Sequence, residues 1–315
     1  FSYPQLWWLD TQTGESILLH EKLSAVGSSA RFSPDGRWVS YAGSPDEGVQ
    51  VFNFENGRAL SFPSNVGTPA AWHSLNNQLL FQNTRAVILH GGNQSDHTLH
   101  DHNVAVGVSL YLGLLTGPAD ERPQSHLLSG DGAFNDGNAA WSPDGQWIAF
   151  GRRLASTNSG RQLWLMRADG SEAHALTNDL TQHFGPPNWS PDGRYLAAVS
   201  ILGSDEGDIN VQGGKTAVGK HVYQQNLPRL RLLVYDVTTD EGRLLFEFVP
   251  TFTFATQFLP FFDQYALSHQ IWSPQSDALV LPMVEDGRNQ IFIVNITTGQ
   301  KQFLAEGLMP FWSPR

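Results

Sequence analysis

Cysteine is absent from the 315-residue chain, which excludes disulfides, thiolate zinc sites and a cysteine nucleophile. Methionine is scarce, at 3 residues, and only 16% of the side chains are charged. Basic residues run short as well: 19 Lys and Arg against 30 Asp and Glu give a formal net charge of −11. Phosphate backbones are held by basic stripes, so no nucleic-acid partner is expected. Long apolar runs are missing. The uncharged, ring-rich stretch Phe248 to Phe262 is broken by Pro250 and Pro260 and is too short for a membrane-spanning helix. The opening Phe-Ser-Tyr-Pro has neither a basic n-region nor an apolar h-region, so no signal peptide is expected. A first residue other than Met is compatible with a processed or trimmed chain.

What is plentiful is turn and ring. The chain has 30 Gly, 18 Pro and 10 Trp, and 40% of its residues are hydrophobic. That is enough apolar material for a sizeable core, and the composition points to a soluble all-β protein of short strands and tight turns. Length alone is compatible with two domains, although all-β chains of this size often fold as one.

A repeat organises the chain. Phe32-Ser33-Pro34-Asp35-Gly36 recurs as Trp141-Ser142-Pro143-Asp144-Gly145 and as Trp189-Ser190-Pro191-Asp192-Gly193. Degenerate copies begin at Trp72, Trp272 and Trp312. The anchors at 32, 72, 141, 189, 272 and 312 are spaced 40, 69, 48, 83 and 40 residues apart. A unit of 40 with insertions of 29, 8 and 43 accounts for every interval.

Each unit repeats an internal grammar. Pro presets the second turn position and Gly accepts positive φ near its end. An alternating strand follows the turn, as in Gln146-Trp147-Ile148-Ala149-Phe150, then a third such as Gln290-Ile291-Phe292-Ile293-Val294. A second turn and a short fourth strand, such as Arg243-Leu244-Leu245-Phe246, close the unit. Four antiparallel strands per 40 residues predict a propeller blade. The expected fold is therefore an all-β, six-bladed β-propeller of four-stranded antiparallel blades, one domain over residues 1–315. Residues 5 to 20 supply a third and fourth strand and residues 308 to 315 a first, so the closing blade is shared between the N- and C-termini. From Trp312 through the end to Leu6 is 9 positions, against 17 from Phe32 to Val49, so that blade falls about one strand short.

The Trp-Ser-Pro-Asp-Gly turn, the Ile-Ala-Phe-type strand and the later Asp-Gly turn resemble the Pro-Asp repeat of TolB-type β-propellers, a WD40-like repeat family. The resemblance covers nearly the whole chain. It implies one of three uses: a protein-binding module outside the cytoplasm, the gating propeller of a serine peptidase, or a metal-dependent sugar lyase.

Up-and-down strands place the tight turns on one face and every long segment on the other: Arg85 to Val108, Leu154 to Arg161, Gly203 to Arg231 and Val249 to His269. Long loops on a rigid scaffold are where binding concentrates. In the first insertion, His97, His100 and His102 stand at i, i+3 and i+5, a spacing that could converge on a divalent metal. The alternative is a solvated polar loop. The insertion beginning at Gly203 holds Asp205 and Asp208, and Asp208, Asn210, Gln212 and Gly213 echo the start of a calcium loop. Position twelve is Gly219 instead of a bidentate Glu, which favours an ordinary acidic surface. Gly213-Gly214-Lys215-Thr216 is no phosphate loop, because Ile209 stands where the leading Gly belongs. From Phe252 to Tyr265 come six rings, among them Phe258, Phe261, Phe262 and Tyr265. They read either as a partner or sugar platform, or as rings packed over the core.

No Gly-x-Ser-x-Gly elbow and no His-Glu-x-x-His motif occurs. The resulting expectation is a non-catalytic scaffold that binds a protein or glycan on its long-loop face, in an extracytoplasmic setting, without a cofactor. The alternatives are a metal-dependent carbohydrate lyase or hydrolase using the three histidines, and a gating propeller whose peptidase domain lies outside this chain.

Overall fold

The computed structural model describes residues 5–21, 30–43, 46–68, 70–89, 103–115, 123–130, 132–156, 160–177, 187–201, 227, 229–259 and 269–313. They divide into two units, residues 1–159 with 164–174, and residues 160–163 with 175–315.

In the first unit, β1 (Leu6–Leu9) and β2 (Ser16–His20) pair antiparallel. Both fall within residues 5 to 20, where two strands are expected. Next, β3 (Arg31–Phe32), β4 (Trp38–Ala42), β5 (Val49–Asn53) and β6 (Ala59–Phe62) form a four-stranded antiparallel sheet in chain order. The following repeats merge. β7 (Ala71–Trp72), β8 (Gln78–Leu89), β9 (Asn103–Leu114) and β10 (Gln124–Leu127) lie beside β11 (Phe134–Trp141), β12 (Trp147–Leu154), β13 (Gln162–Arg167) and β14 (His174–Ala175). Their eight strands run β14-β13-β12-β11-β9-β8-β7, with β10 on β9. The join is a parallel pairing of Asn135 with Val108.

That join exists because β8 and β9 outgrow their blade. They pair without a break from Gln78 opposite Leu114 to Leu89 opposite Asn103. Arg85 to Val108, expected as a loop, is therefore strand at both ends. Its alternating and β-branched residues, such as Val104-Ala-Val-Gly-Val108, suit a strand better than a loop.

In the second unit, β15 (Asn188–Trp189), β16 (Tyr195–Ile201), β17 (Leu230–Asp236) and β18 (Glu241–Phe248) form another sheet in chain order. β19 (Ala278–Glu285), β20 (Arg288–Asn295) and β21 (Lys301–Glu306) form a sheet of three strands, preceded by an antiparallel bridge between Trp272 and Leu279.

The repeat turn is held by its own side chains. Ser33 Oγ donates to Asp35 Oδ1 (2.5 Å) while accepting the Trp38 N–H (3.0 Å), and Asp35 Oδ1 accepts the Arg37 N–H (3.0 Å). The same three bonds recur around Ser142 and Asp144, and around Ser190 and Asp192. Gly36, Gly145 and Gly193 end these turns at φ +70°, +69° and +73°, where a side chain is strained. The copy at Trp272 has Ser276 in that place at φ +61°, and its Oγ accepts the Asp192 N–H (3.1 Å) of the preceding turn.

Anchor tryptophans tie repeat to repeat. Trp72 Nε1 donates to Arg31 O (2.9 Å), Trp141 Nε1 to Ala71 O (3.3 Å) and Trp272 Nε1 to Asn188 O (3.1 Å). Each acceptor is the residue just before the previous anchor. Behind the anchors, the first unit packs Phe62, Leu79 and Phe81 in one cluster, and Leu80, Ile148 and Phe150 in another. The second packs Trp272, Leu279, Leu281 and Phe292 with the Leu232 and Val234 side. Burying one such side chain contributes roughly 1.5–3 kcal/mol.

His73 fills the slot that Ser holds in the other turns. Its Nδ1 accepts the Leu75 N–H (3.0 Å), so Nε2 carries the proton and donates to Gly145 O (3.1 Å) of the next repeat. Its ring lies 4.6 Å from that of Trp141. Burial lowers its pKa, against opposing pulls from the Gly145 carbonyl and the Asp144 carboxylate. The folded state thus disfavours the imidazolium that the unfolded chain forms near pH 6.5. His73 stabilises fully above that pH, and its contribution is lost as pH falls toward the depressed folded value. Thermal unfolding between pH 7.5 and 5 should therefore show a larger drop in Tm for the wild type than for His73→Gln. Equal drops would show that His73 is not the group responsible.

Candidate functional site

The connection from β18 to the next repeat begins at Val249 and is organised by Thr251. Its Oγ1 donates to Leu308 O (2.9 Å) and accepts the Phe254 N–H (3.3 Å), starting a short π-helical turn over Phe254–Phe258. The rings of Phe254 and Phe258 stack at 5.0 Å, and both belong to the core of the second unit. Phe258, expected on an open platform or packed over the core, is 1% exposed and takes the packed position.

Other large apolar side chains stay outside. Phe252 is 40% exposed, Leu308 46% and Phe311 51%. The Thr251–Leu308 bond holds the first two segments together. His269 joins the third, with its ring 6.2 Å from Phe258 and 4.7 Å from Phe311. Next to it, Trp312 N donates to Gln270 O (2.8 Å). These contacts draw together the segments that carry the exposed Phe252, Leu308 and Phe311, around the buried Phe258. Neither Leu308 nor Phe311 was singled out by the repeat pattern. The one sequence signal was their place just before the last anchor.

The first unit carries a buried charge pair. On β11 and β12, Asp136 and Arg152 are direct cross-strand partners. Arg152 donates from Nε to Oδ1 (2.7 Å) and from Nη2 to Oδ2 (2.8 Å), and Ser129 Oγ donates to Oδ2 (2.7 Å). The guanidinium lies 4.4 Å from the Trp164 ring centroid and 4.9 Å from that of Phe134. This group was not legible as a site, and its donors and acceptors are matched, so its part is structural.

The remaining expected site residues, His97, His100, His102, Asp205, Asp208, Phe261, Phe262 and Tyr265, lie outside the described residues. Among the described residues no cluster of three metal-ligating side chains occurs. No helix among them is long and apolar enough to cross a membrane.

The repeated antiparallel sheets and their anchor ties define a β-propeller. Solved structures bear this out. Oligogalacturonate lyase in complex with manganese is 16% identical with a TM-score of 0.54, over 95% of this chain and 70% of that one. Oligogalacturonate lyase from Vibrio parahaemolyticus is 15% identical with a TM-score of 0.53, over the same shares. TolB from Acinetobacter baumannii is 14% identical with a TM-score of 0.44, over 97% of this chain and 60% of that one. No family model and no curated protein matches the chain. At these identities the likeness is one of fold alone, the β-propeller.

Proposed function

We propose that this chain is a non-catalytic binding scaffold, a single six-bladed propeller that holds a protein or glycan partner at its long connections, outside the cytoplasm. The observation that carries this reading is the patch of Phe252, Leu308 and Phe311. Large apolar groups exposed together, over a rigid core, are the usual mark of an interaction surface. The Thr251–Leu308 bond ties the backbone of two of the segments and the His269 ring braces that of Phe311, which limits the freedom lost on binding. Because all three side chains are exposed, polar replacements leave the core intact. Arrayed oligosaccharides and peptides, probed with wild type and with the double variant Phe252→Ser/Phe311→Ser, test the proposal. A ligand bound by the wild type should be retained at least tenfold more weakly by the variant. Undiminished binding by the variant, or no ligand for the wild type, would overturn it.

A further inference from the structure

β21 is the outermost strand of its sheet, in the order β19-β20-β21. All six of its residues, Lys301–Glu306, are exposed. The outer strand β6 of the first unit, by contrast, exposes Ala59 and Ser61 and buries Leu60 and Phe62. In β21 the exposure falls on an apolar middle, with Phe303 at 53% and Leu304 at 54%. An edge strand presents a row of backbone donors and acceptors, and soluble proteins usually blunt such edges rather than place large apolar groups on them.

A bulge decides what this edge offers. Phe303 stands opposite Phe292 and Ala305 opposite Ile291, so Leu304 is the added residue that the register skips. Asn295 N–H donates to Gln300 O (3.0 Å) and Gly307 N–H to Asn289 O (3.0 Å), which turns Gln300 and Gly307 toward β20. Counting two residues inward from each, Gln302 and Ala305 face β20 as well. The open side is left to Lys301, Phe303, Leu304 and Glu306, a set symmetric about the midpoint between Phe303 and Leu304. Lys301, Phe303 and Glu306 lie opposite Val294, Phe292 and Gln290, alternate residues of β20, so their side chains share one face.

We infer that β21 is where a second copy of this chain docks, edge to edge and antiparallel, about a twofold axis through that midpoint. In this register the strand is complementary to itself. Lys301 meets the partner's Glu306, Phe303 the partner's Leu304, and Gln302 the partner's Ala305. Opposite charges and large apolar groups directly across an antiparallel ladder are stabilising combinations. The twofold axis makes each contact twice, as an isologous interface requires, and leaves neither edge open. Within its own protomer Lys301 already touches Glu285, and Glu306 touches Arg288 (3.3 Å). Docking extends these two pairs into one row of alternating charge. The surface does not use Phe252 or Phe311.

Sedimentation velocity over a concentration series tests this. The wild type should pass from monomer to dimer as concentration rises. Lys301→Glu sets Glu opposite Glu at both ends of the contact, and Glu306→Lys sets Lys opposite Lys. Each variant alone should dimerise about tenfold more weakly or worse, because two attractive pairs become repulsive. Mixed one to one, the two variants should recover the wild-type association, since every Glu then meets a Lys. The Lys301 side chain is 33% and that of Glu306 65% exposed, so neither change enters the core. Phe252→Ser/Phe311→Ser should dimerise as the wild type does. A wild type that stays monomeric up to its solubility limit would overturn the inference, whatever the variants do. So would a dimer indifferent to both charge changes, a mixture that fails to recover, or a dimer lost in Phe252→Ser/Phe311→Ser.

Discussion

Replacing Asp136 by Ala should lower the free energy of unfolding by about 3–5 kcal/mol, the usual result of removing one partner from a buried ion pair. The Asp136 side chain is 0% exposed and that of Arg152 13%. Without the carboxylate, the guanidinium loses both charge-assisted bonds and stays among the rings of Phe134, Phe150 and Trp164. Those rings attract the cation, but they contribute only about 0.5–2 kcal/mol and cannot replace a bidentate carboxylate. Ser129 Oγ also loses its acceptor, while still accepting the Leu110 N–H (3.3 Å). The double variant Asp136→Leu/Arg152→Met should lose clearly less than Asp136→Ala, because it leaves no charge behind. Urea unfolding of the wild type and both variants measures the difference. A loss below about 1 kcal/mol for Asp136→Ala, the range of surface pairs, would mean that water reaches the guanidinium.

This pair also marks where reading the sequence stops. Turns were legible because their chemistry is local: Ser33, Asp35 and Gly36 hold one another within a few residues. Strands were legible because alternation is local too, and the predicted Gln290 to Val294 lies inside Arg288–Asn295. The tie between Asp136 and Arg152 depends instead on the register of two strands, and nothing near either residue announces it. The indole bonds of the anchors are still more distant, spanning 41, 70 and 84 residues. The anchors themselves were plain, whereas their acceptors are carbonyls, which every residue carries. His73 was visible as a break in the Trp-Ser pattern. Its role was hidden, because the acceptor at Gly145 belongs to another repeat. In the aromatic connection, composition showed many rings but could not sort them. Phe254 and Phe258 go inward because the helical turn started by Thr251 puts them on one side, and Phe252 precedes that turn and stays out.

Trp272→Ala should be as damaging as the loss of Asp136, at about 3–5 kcal/mol, the range for deleting a large buried ring. Trp272 is 2% exposed and sits in the core with Phe258, Leu279 and Phe292. Its ring stacks on Tyr195 at 6.4 Å, and its Nε1 reaches Asn188 O. Both contacts belong to the preceding repeat, so the indole joins one sheet to the next. In an architecture of repeats, such neighbour couplings are what make the sheets unfold together. The Ala variant should therefore show a broader denaturant transition as well as a lower midpoint. Trp272→Phe separates the two roles of the ring. It keeps most of the packing and removes only the N–H, so it should cost about 1–2 kcal/mol, near the value of one hydrogen bond with some lost contact. The first repeat is built this way already, with Phe32 in the anchor position. If Trp272→Phe proved as harmful as Trp272→Ala, the bond to Asn188 would outweigh the packing, and the anchor would act mainly as a donor. If both were mild, the sheets of the second unit would be held together by residues other than their anchors.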